Sequence, residues 1–560
     1  MEITKEKAHH LVLGAGSIGA RVARLLALEG YRVTATTSNA QTKRALELCG
    51  VQVLEWVWSP GQSWDTITTL GATHWCVTVP PRLGHSTSVQ FHQELQTAAR
   101  AAHVKRLLWT SSTAVYDSAQ SGTIVEGDAI HRQSKHTGVD LFELELLHSK
   151  TDAFDPEFVA MRFGGLFSEA RHPASAMTKR TPVRQADGTV QWVHESDAAA
   201  ACAHVICLPD LPCAAFNVVA PVVLSRRELL KPVYGRSGSV GMESDGVSRE
   251  VSSEALRATG FDFNVPNPLK WICDHPVPTS FVRWEGPNGP LNATFHHPTS
   301  EPVGTMLMVH GYKGFRSWGG WGELADCWAQ HGWRIVRMDF SHNGHIEPFN
   351  EECLDEDAWS RNHHHFEVEE VEFALNQLAG ETSDDCPLVV FGHSRGGAAA
   401  LLGAQRFEMP ERHLGGVVLW STISDLLARM PRGASLQKWE QEDRLEVVNA
   451  RTGQVLMHPF RFYEETLKRQ DELDMSVAAA SLRCHLLCVH GTEDWAVDAE
   501  EGRRVASWHP RGTMVEISGA DHVFGMRHPW LRGQEWPDPL REAWESTLNW
   551  MNQVQSETGG

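Results

Sequence analysis

The chain has 560 residues, 42% of them hydrophobic and 21% charged, which excludes a largely disordered polypeptide and is too long for one ordinary domain. Its 70 acidic and 50 basic side chains give a formal charge of −20, which repels phosphate backbones and anionic bilayers and argues against a nucleic-acid or membrane partner. No apolar run approaches the roughly 18 residues of a membrane span, MEITKEKAHHLVLGAGSIG lacks the apolar core of a signal peptide, and the 11 cysteines are scattered, so a cytoplasmic protein with reduced thiols is expected.

Residues 1–273 read as the first domain. HHLVL runs into Gly14-Ala15-Gly16-Ser17-Ile18-Gly19 and then into a helical stretch. A GxGxxG between a strand and an amphipathic helix allows a tight turn and brings a pyrophosphate to the helix N-terminus. Gly14, Gly16, Ser17, Ile18 and Gly19 are therefore candidate contacts to a bound dinucleotide. The next strand, YRVTATTS, ends in Thr36, Thr37 and Ser38 where NAD binding asks for an Asp or Glu on the ribose. With Lys43 and Arg44 nearby, NADP is favoured over NAD, and Thr37 and Ser38 are further candidate cofactor contacts.

Downstream, WTSSTAVYD carries Ser111, Ser112 and Thr113, and MRFGGLFSEARHP, VQWVHESDAAAA and FNVVAPVVLSRRELL follow. On these segments residues 9–273 resemble the extended or atypical short-chain dehydrogenases of the NAD-dependent epimerase/dehydratase group. The resemblance implies a Rossmann-type, doubly wound parallel sheet and an active-site hydroxyl among residues 111–113. It breaks at the Tyr-x-x-x-Lys pair, whose lysine lowers the phenol pKa so that it can pass a proton. Four residues after Tyr31, Tyr116, Tyr234, Tyr312 and Tyr463 stand Ala35, Gln120, Gly238, Arg316 and Leu467. The stretch where the pair should fall, HRQSKHTGVDLFELE, offers Lys135 and His136 but no phenol. Either His136 or Tyr116 substitutes, or the domain binds a nucleotide without turning it over.

Residues 274–280 (DHPVPTS) read as a linker, and 281–555 as the second domain. Its runs MLMVHG, RIVRMDF, PLVVFGHS, GVVLWS, HLLCVHG and TMVEISG alternate with helical patterns, as in a parallel sheet covered by helices on both faces. The stretch from about 424 to 480 is far longer than an ordinary connection, and it reads as a helical lid over the site.

Gly392-His393-Ser394-Arg395-Gly396 sits between PLVVF and an alanine-rich helix, the setting of a nucleophile elbow. Ser, acid and His then follow in the chain order of that fold. HGTEDWAVD places Asp494 after one strand, with Glu493 and Asp498 as fallbacks, and GADHVF places His522 after the last strand beside Asp521. His522 would accept the serine proton and Asp494 would fix its tautomer. The backbone N–H groups of Arg395 and of Tyr312, in VHGYKG, are the expected oxyanion hole, and the Tyr312 and Lys313 side chains are candidates for shaping the site.

MLMVHGYKGFRSWGGWGELADCWAQHGWRIVRMDFSHNG, FGHSRGG, HGTEDWAV and GADHVFGMRHPW together resemble a bacterial α/β-hydrolase family related to dienelactone hydrolases, over about residues 279–552. The resemblance implies a cytoplasmic serine esterase or acyl hydrolase; the chemistry expected of it is cofactor-free hydrolysis of a small-molecule ester, lactone or thioester through an acyl-enzyme. The resemblance also puts His342 and Asn343 on the pocket wall. His363, His364 and His365 cannot all face one ion on a regular element, and Glu367, Glu369 and Glu370 read as the polar face of a helix, so no metal is expected. The chain as a whole reads as a serine hydrolase fused to a dinucleotide-binding domain. The alternatives are a nucleotide sensor that regulates the hydrolase, or a bifunctional enzyme.

Overall fold

The computed structural model describes residues 8–79, 85–117, 120–128, 130, 141–149, 155–178, 183, 185–234, 243, 246–349, 353–383, 385–407 and 414–558. The chain divides between Cys273 and Asp274 into two compact units, each built on its own sheet. No described helix is long and apolar enough to cross a membrane.

In the first unit, β1 (His9–Leu13), β2 (Arg32–Thr36), β3 (Gln52–Leu54), β4 (His74–Val77), β5 (Arg106–Ser112), β6 (Glu157–Phe163) and β7 (Ala215–Val218) form one sheet in the order β7-β6-β5-β4-β1-β2-β3. Every pairing is parallel. All of β1 is buried, as expected of a strand covered on both faces, which is why HHLVL shows no alternation. The strand order reverses between β1 and β4, so a crevice opens at their carboxyl ends. Helix α1 (Ser17–Leu28) starts there, buries Ala20 and Ala23 among others, and packs on α2 (Glu195–Ile206).

The main sheet of the second unit has eight strands among the described residues. These are β8 (Thr279–Glu285), β9 (Pro290–His296), β10 (Gly304–Val309), β11 (Trp333–Asp339), β12 (Leu388–His393), β13 (Gly416–Trp420), β16 (His485–Gly491) and β17 (Gly512–Ile517). Their order is β8-β9-β11-β10-β12-β13-β16-β17. The hairpin β8–β9 is antiparallel and the strands from β11 to β17 are parallel to one another. The six apolar runs of the sequence are the parallel strands. The hairpin was not read from the sequence: β8 starts at Thr279, inside the 274–280 stretch expected to be a linker. One face of the sheet is covered by α3 (His364–Glu381) and α4 (Arg395–Arg406), through Val368, Val371, Leu375, Ala398, Leu401 and Leu402. The other face carries a tryptophan-rich core that includes Trp321, Trp328, Trp333 and Trp420.

The insertion after β13 is not purely helical. Between α5 (Ala434–Glu442) and α6 (Arg461–Lys468) it contains an antiparallel hairpin of β14 (Leu445–Val448) and β15 (Val455–His458). Alternation in LEVV and VLMH is the strand signal, and it was masked by the charged residues around it. Helix α7 (Met475–Ser481) packs on α4 and belongs to the covering layer of the sheet.

Candidate active site

The candidate nucleophile position is fixed by backbone. β12 delivers the chain to Ser394, whose φ of 56° and ψ of −123° fall where side-chain-bearing residues are strained, and α4 begins at the next residue. The turn closes because its neighbours lack Cβ atoms. One on Gly392 would lie 2.3 Å from the Gly396 carbonyl oxygen, and one on Gly396 would lie 2.2 Å from that of His310. The loop after β10 crosses the same point, since a Cβ on Gly311 would come within 3.0 Å of the Ser394 Cβ. The first turn of α4 has no side-chain cap, which leaves its N–H groups and positive dipole end beside Ser394.

Asp494 lies in the turn after β16. Its Oδ1 accepts the N–H groups of Ala496 (3.0 Å) and Val497 (2.9 Å), and its Oδ2 accepts Nδ1 of His522 at 2.8 Å. His490 Nε2 stands 3.2 Å from the same Oδ2. Burial opposes ionisation of this carboxyl, but the bonds from His490, His522 and Val497 hold its pKa well below the usual carboxylate range. Of the three acids the sequence leaves open, Asp494 is the one bonded to His522. Glu493 is exposed and Asp498 caps a helix by accepting the N–H of Glu500. Asp521 accepts the N–H groups of Val523 and Gly525. His522 keeps 23% of its side chain exposed, and its carbonyl accepts Nε2–H of His393 at 3.0 Å. Burial pushes the His393 pKa down to about 3, so that ring is neutral. Sequence reasoning did not single out His393 or His490, since an isolated histidine in a strand carries no signal of what it supports.

A cavity of about 500 Å³ opens beside Ser394, lined by Tyr312 and Arg395 and, from the insertion, by Met430, Leu445, Val447 and Phe462. The Arg395 guanidinium pairs with the Glu367 carboxylate and lies 4.3 Å over the Tyr312 ring. His342 and Asn343 are not on this wall. Asn343 donates to Asp339 Oδ1 (3.1 Å), while His342 contacts Ser341 and Phe366. The helix α3 also differs from the expected solvated face. Glu367 and Glu370 are buried, the first against Arg395 and the second accepting the Ser341 N–H at 3.0 Å. His364 bonds Thr466 Oγ1 (3.1 Å), and no group of three metal-ligating side chains occurs among the described residues.

In the first unit, the crevice above β1 and β4 is lined by Gly14 to Ser17, by Thr36 to Asn39, by Trp56 and Trp58, and by Thr78 and Val79. Gly14 has a φ of 88°, and its N–H donates to Thr36 Oγ1. A Cβ on Gly16 would meet nothing within 4 Å, so open space remains where a pyrophosphate would approach the start of α1. Gly19 serves packing instead, because a Cβ there would lie 2.3 Å from Thr78 Oγ1. Ile18 does not line the crevice. No carboxylate stands at the end of β2, and Lys43 is paired with Glu55 at 2.6 Å. The aromatic wall was missed in the sequence. Trp58 and Trp64 both donate to the Glu94 carboxylate (2.8 and 3.3 Å), which pins Trp58 at the crevice edge.

The proton-donor candidates fare differently. Tyr116 is 2% exposed, donates to Asn217 Oδ1 (2.8 Å) and accepts from Arg162 (2.7 Å). Burial raises its pKa, although Arg162 opposes the rise. The phenol is therefore a core group and no substitute for a catalytic tyrosine. Ser111 is tied to the same network, donating to Glu145 at 2.7 Å, and Glu145 pairs with Arg162. Ser112 accepts the Ala114 N–H at 3.2 Å, and Thr113 is buried. Lys135 and His136 lie outside the described residues.

Residues 10–218 match the model of the NAD dependent epimerase/dehydratase family, and residues 304–484 match that of the alpha/beta hydrolase fold. Protein YeeZ of Escherichia coli (strain K12) is 28% identical over 278 residues, which are 46% of this chain and 96% of that protein. A functionally unknown conserved protein from Silicibacter pomeroyi DSS is 18% identical and spans 49% of this chain and 100% of its own, at a TM-score of 0.39. Est1E from Butyrivibrio proteoclasticus is 15% identical and spans 49% of this chain and 99% of its own, at a TM-score of 0.36. The chain joins an NAD-dependent epimerase/dehydratase-like domain to an α/β-hydrolase domain.

Proposed function

We propose that the second unit is a serine hydrolase that cleaves small-molecule esters, lactones or thioesters through an acyl-enzyme. The observation that carries the reading is a strained serine at a strand-to-helix turn together with a hydrogen-bonded Asp494–His522 pair. Ser394 Oγ bonds to the acyl carbon while its proton passes to His522, and Asp494 stabilises the imidazolium. The N–H groups of Arg395 and Tyr312 receive the oxyanion. The intermediate collapses with the leaving oxygen or sulfur taking the proton from His522, and water repeats the sequence to release the acid. Both arginines on the cavity wall are already paired, Arg395 with Glu367 and Arg429 with Glu501, which favours an uncharged substrate.

The test is fluorophosphonate labelling read by intact mass, with a panel of nitrophenyl esters, on wild type and Ser394→Ala. Labelling and turnover that vanish together in the variant support the reading. An unlabelled, folded wild type sinks it.

For the first unit, the reading is NADP or NAD binding at the crevice, with NADP preferred because β2 lacks a terminal acid. A bound nicotinamide would supply hydride chemistry. The burial of Tyr116 and the missing Tyr-x-x-x-Lys favour a second reading, a domain that binds the nucleotide as a signal to the hydrolase. Calorimetric titration with each cofactor, beside nicotinamide absorbance, separates binding from turnover.

A further inference from the structure

The insertion and the loop after β10 meet at one side-chain pair. His458, the last residue of β15, has its Nε2 2.9 Å from the Tyr312 hydroxyl. The residue is 1% exposed and borders the cavity beside Ser394. It stacks between Trp359 (ring centres 4.0 Å apart) and Phe462 (4.1 Å), and its carbonyl accepts the Trp439 indole N–H at 3.0 Å. Burial, helped by the nearby Arg395 charge, brings the His458 pKa down to about 2, and burial raises that of Tyr312. Both partners are therefore neutral across the working pH range, and the bond between them does not titrate.

The Tyr312 ring is also covered by the Arg395 guanidinium, itself held by Glu367. Tyr312 is thus gripped from the insertion and from the residue after the nucleophile. The next residue, Lys313, has a φ of 59° and reaches the β14 carbonyl of Val448 at 3.3 Å. A strained loop beside Ser394 relaxes away from it unless something holds it down.

We infer that His458 is a positioning residue: through the Tyr312 side chain, the hairpin of the insertion holds the oxyanion loop over Ser394. The inference rests on the hydrolase reading of this site. An oxyanion donor acts only within about 2.7–3.1 Å of the developing charge, and a misplacement of about 1 Å costs on the order of a hundredfold in rate. The latch should therefore appear in kcat and not in substrate binding.

The experiment compares wild type, His458→Phe, His458→Gln, Tyr312→Phe and the His458→Phe/Tyr312→Phe double variant. Each is measured for kcat and KM on a nitrophenyl ester and for fluorophosphonate labelling rate, with melting curves as the fold check. His458→Phe and Tyr312→Phe should each lower kcat about tenfold to a hundredfold with KM within about twofold. The double variant should be no slower than the slower single one, because both break the same bond. His458→Gln, which can still reach the phenol, should recover most of the rate. Folded variants that keep the wild-type kcat, that lose activity only through KM, or that lose it additively overturn the latch. Tyr312→Phe removes a single oxygen, so it decides the matter even if His458→Phe fails to fold. A wild type that neither labels nor turns over ester overturns the hydrolase reading itself.

Discussion

Glu370 offers a direct test of how burial governs ionisation in this fold. Its carboxyl lies in α3 under the sheet, 1% exposed, with Ser341 as its hydrogen-bond partner and with Glu367 and Glu369 on the same helix. Burial raises its pKa to about 8. The Ser341 bonds oppose the rise, and the two neighbouring carboxylates add to it. The unfolded chain loses this proton near the ordinary glutamate value of 4.5. Between those values the folded state holds a proton the unfolded state has released, so stability falls as pH rises through the window and levels off above the folded pKa. A tenfold change in proton affinity is worth about 1.4 kcal/mol, so the loss totals on the order of 4 to 5 kcal/mol. Glu370→Gln replaces the protonated acid with a neutral group of the same shape. The variant should match wild type near pH 5 and become progressively more stable than it toward pH 8.5. Urea unfolding followed by tryptophan fluorescence at half-unit pH steps measures that gap. A gap that stays constant from pH 5 to 9 refutes the reasoning.

Tyr116→Phe strands a buried Arg162 N–H and the Asn217 oxygen, so it should destabilise the first unit by about 1–3 kcal/mol in urea unfolding while leaving dinucleotide affinity unchanged. Gly14→Ala forces a side chain into a φ of 88° with its Cβ 2.9 Å from Val79 Cγ2; calorimetry should show NADPH binding weakened at least tenfold, or lost. Asp494→Asn keeps the shape of the acid but favours the wrong His522 tautomer, and steady-state ester hydrolysis should fall on the order of 10³- to 10⁴-fold in kcat.

The parallel strands could be read because each is an apolar run with a turn signal at its end. The elbow could be read because Gly392 is set by a contact four residues on, at Gly396, and because a strand and an alanine-rich helix flank it, although Gly396 is itself set by the distant His310 carbonyl. Other features depend on distant chain and left no local trace. Glu367 and Glu370 look like a helix's polar face until Arg395 and Ser341 are placed over them. His342 and Asn343 follow a strand of the central sheet, yet their side chains bond Ser341 and Asp339 and do not line the cavity. Trp56 and Trp58 became part of the crevice wall only when Glu94, thirty-odd positions on, fixed the Trp58 indole. Tyr116 carried the right chemistry for a proton donor, but its orientation was set by Arg162 and Asn217.

The two strands of the insertion hairpin divide their work. β14 gives Leu445 and Val447 to the cavity wall, alternate positions on one face, whereas β15 ends in the His458 that grips Tyr312. Leu445 stands directly opposite His458 in the hairpin whereas Val447 stands opposite Leu456, so a population of sequences drifting toward new esters can enlarge or narrow the cavity through Val447 and leave the neighbour of His458 in place. Laboratory diversification should follow the same partition, with residue 447 randomised and residues 445 and 458 kept fixed.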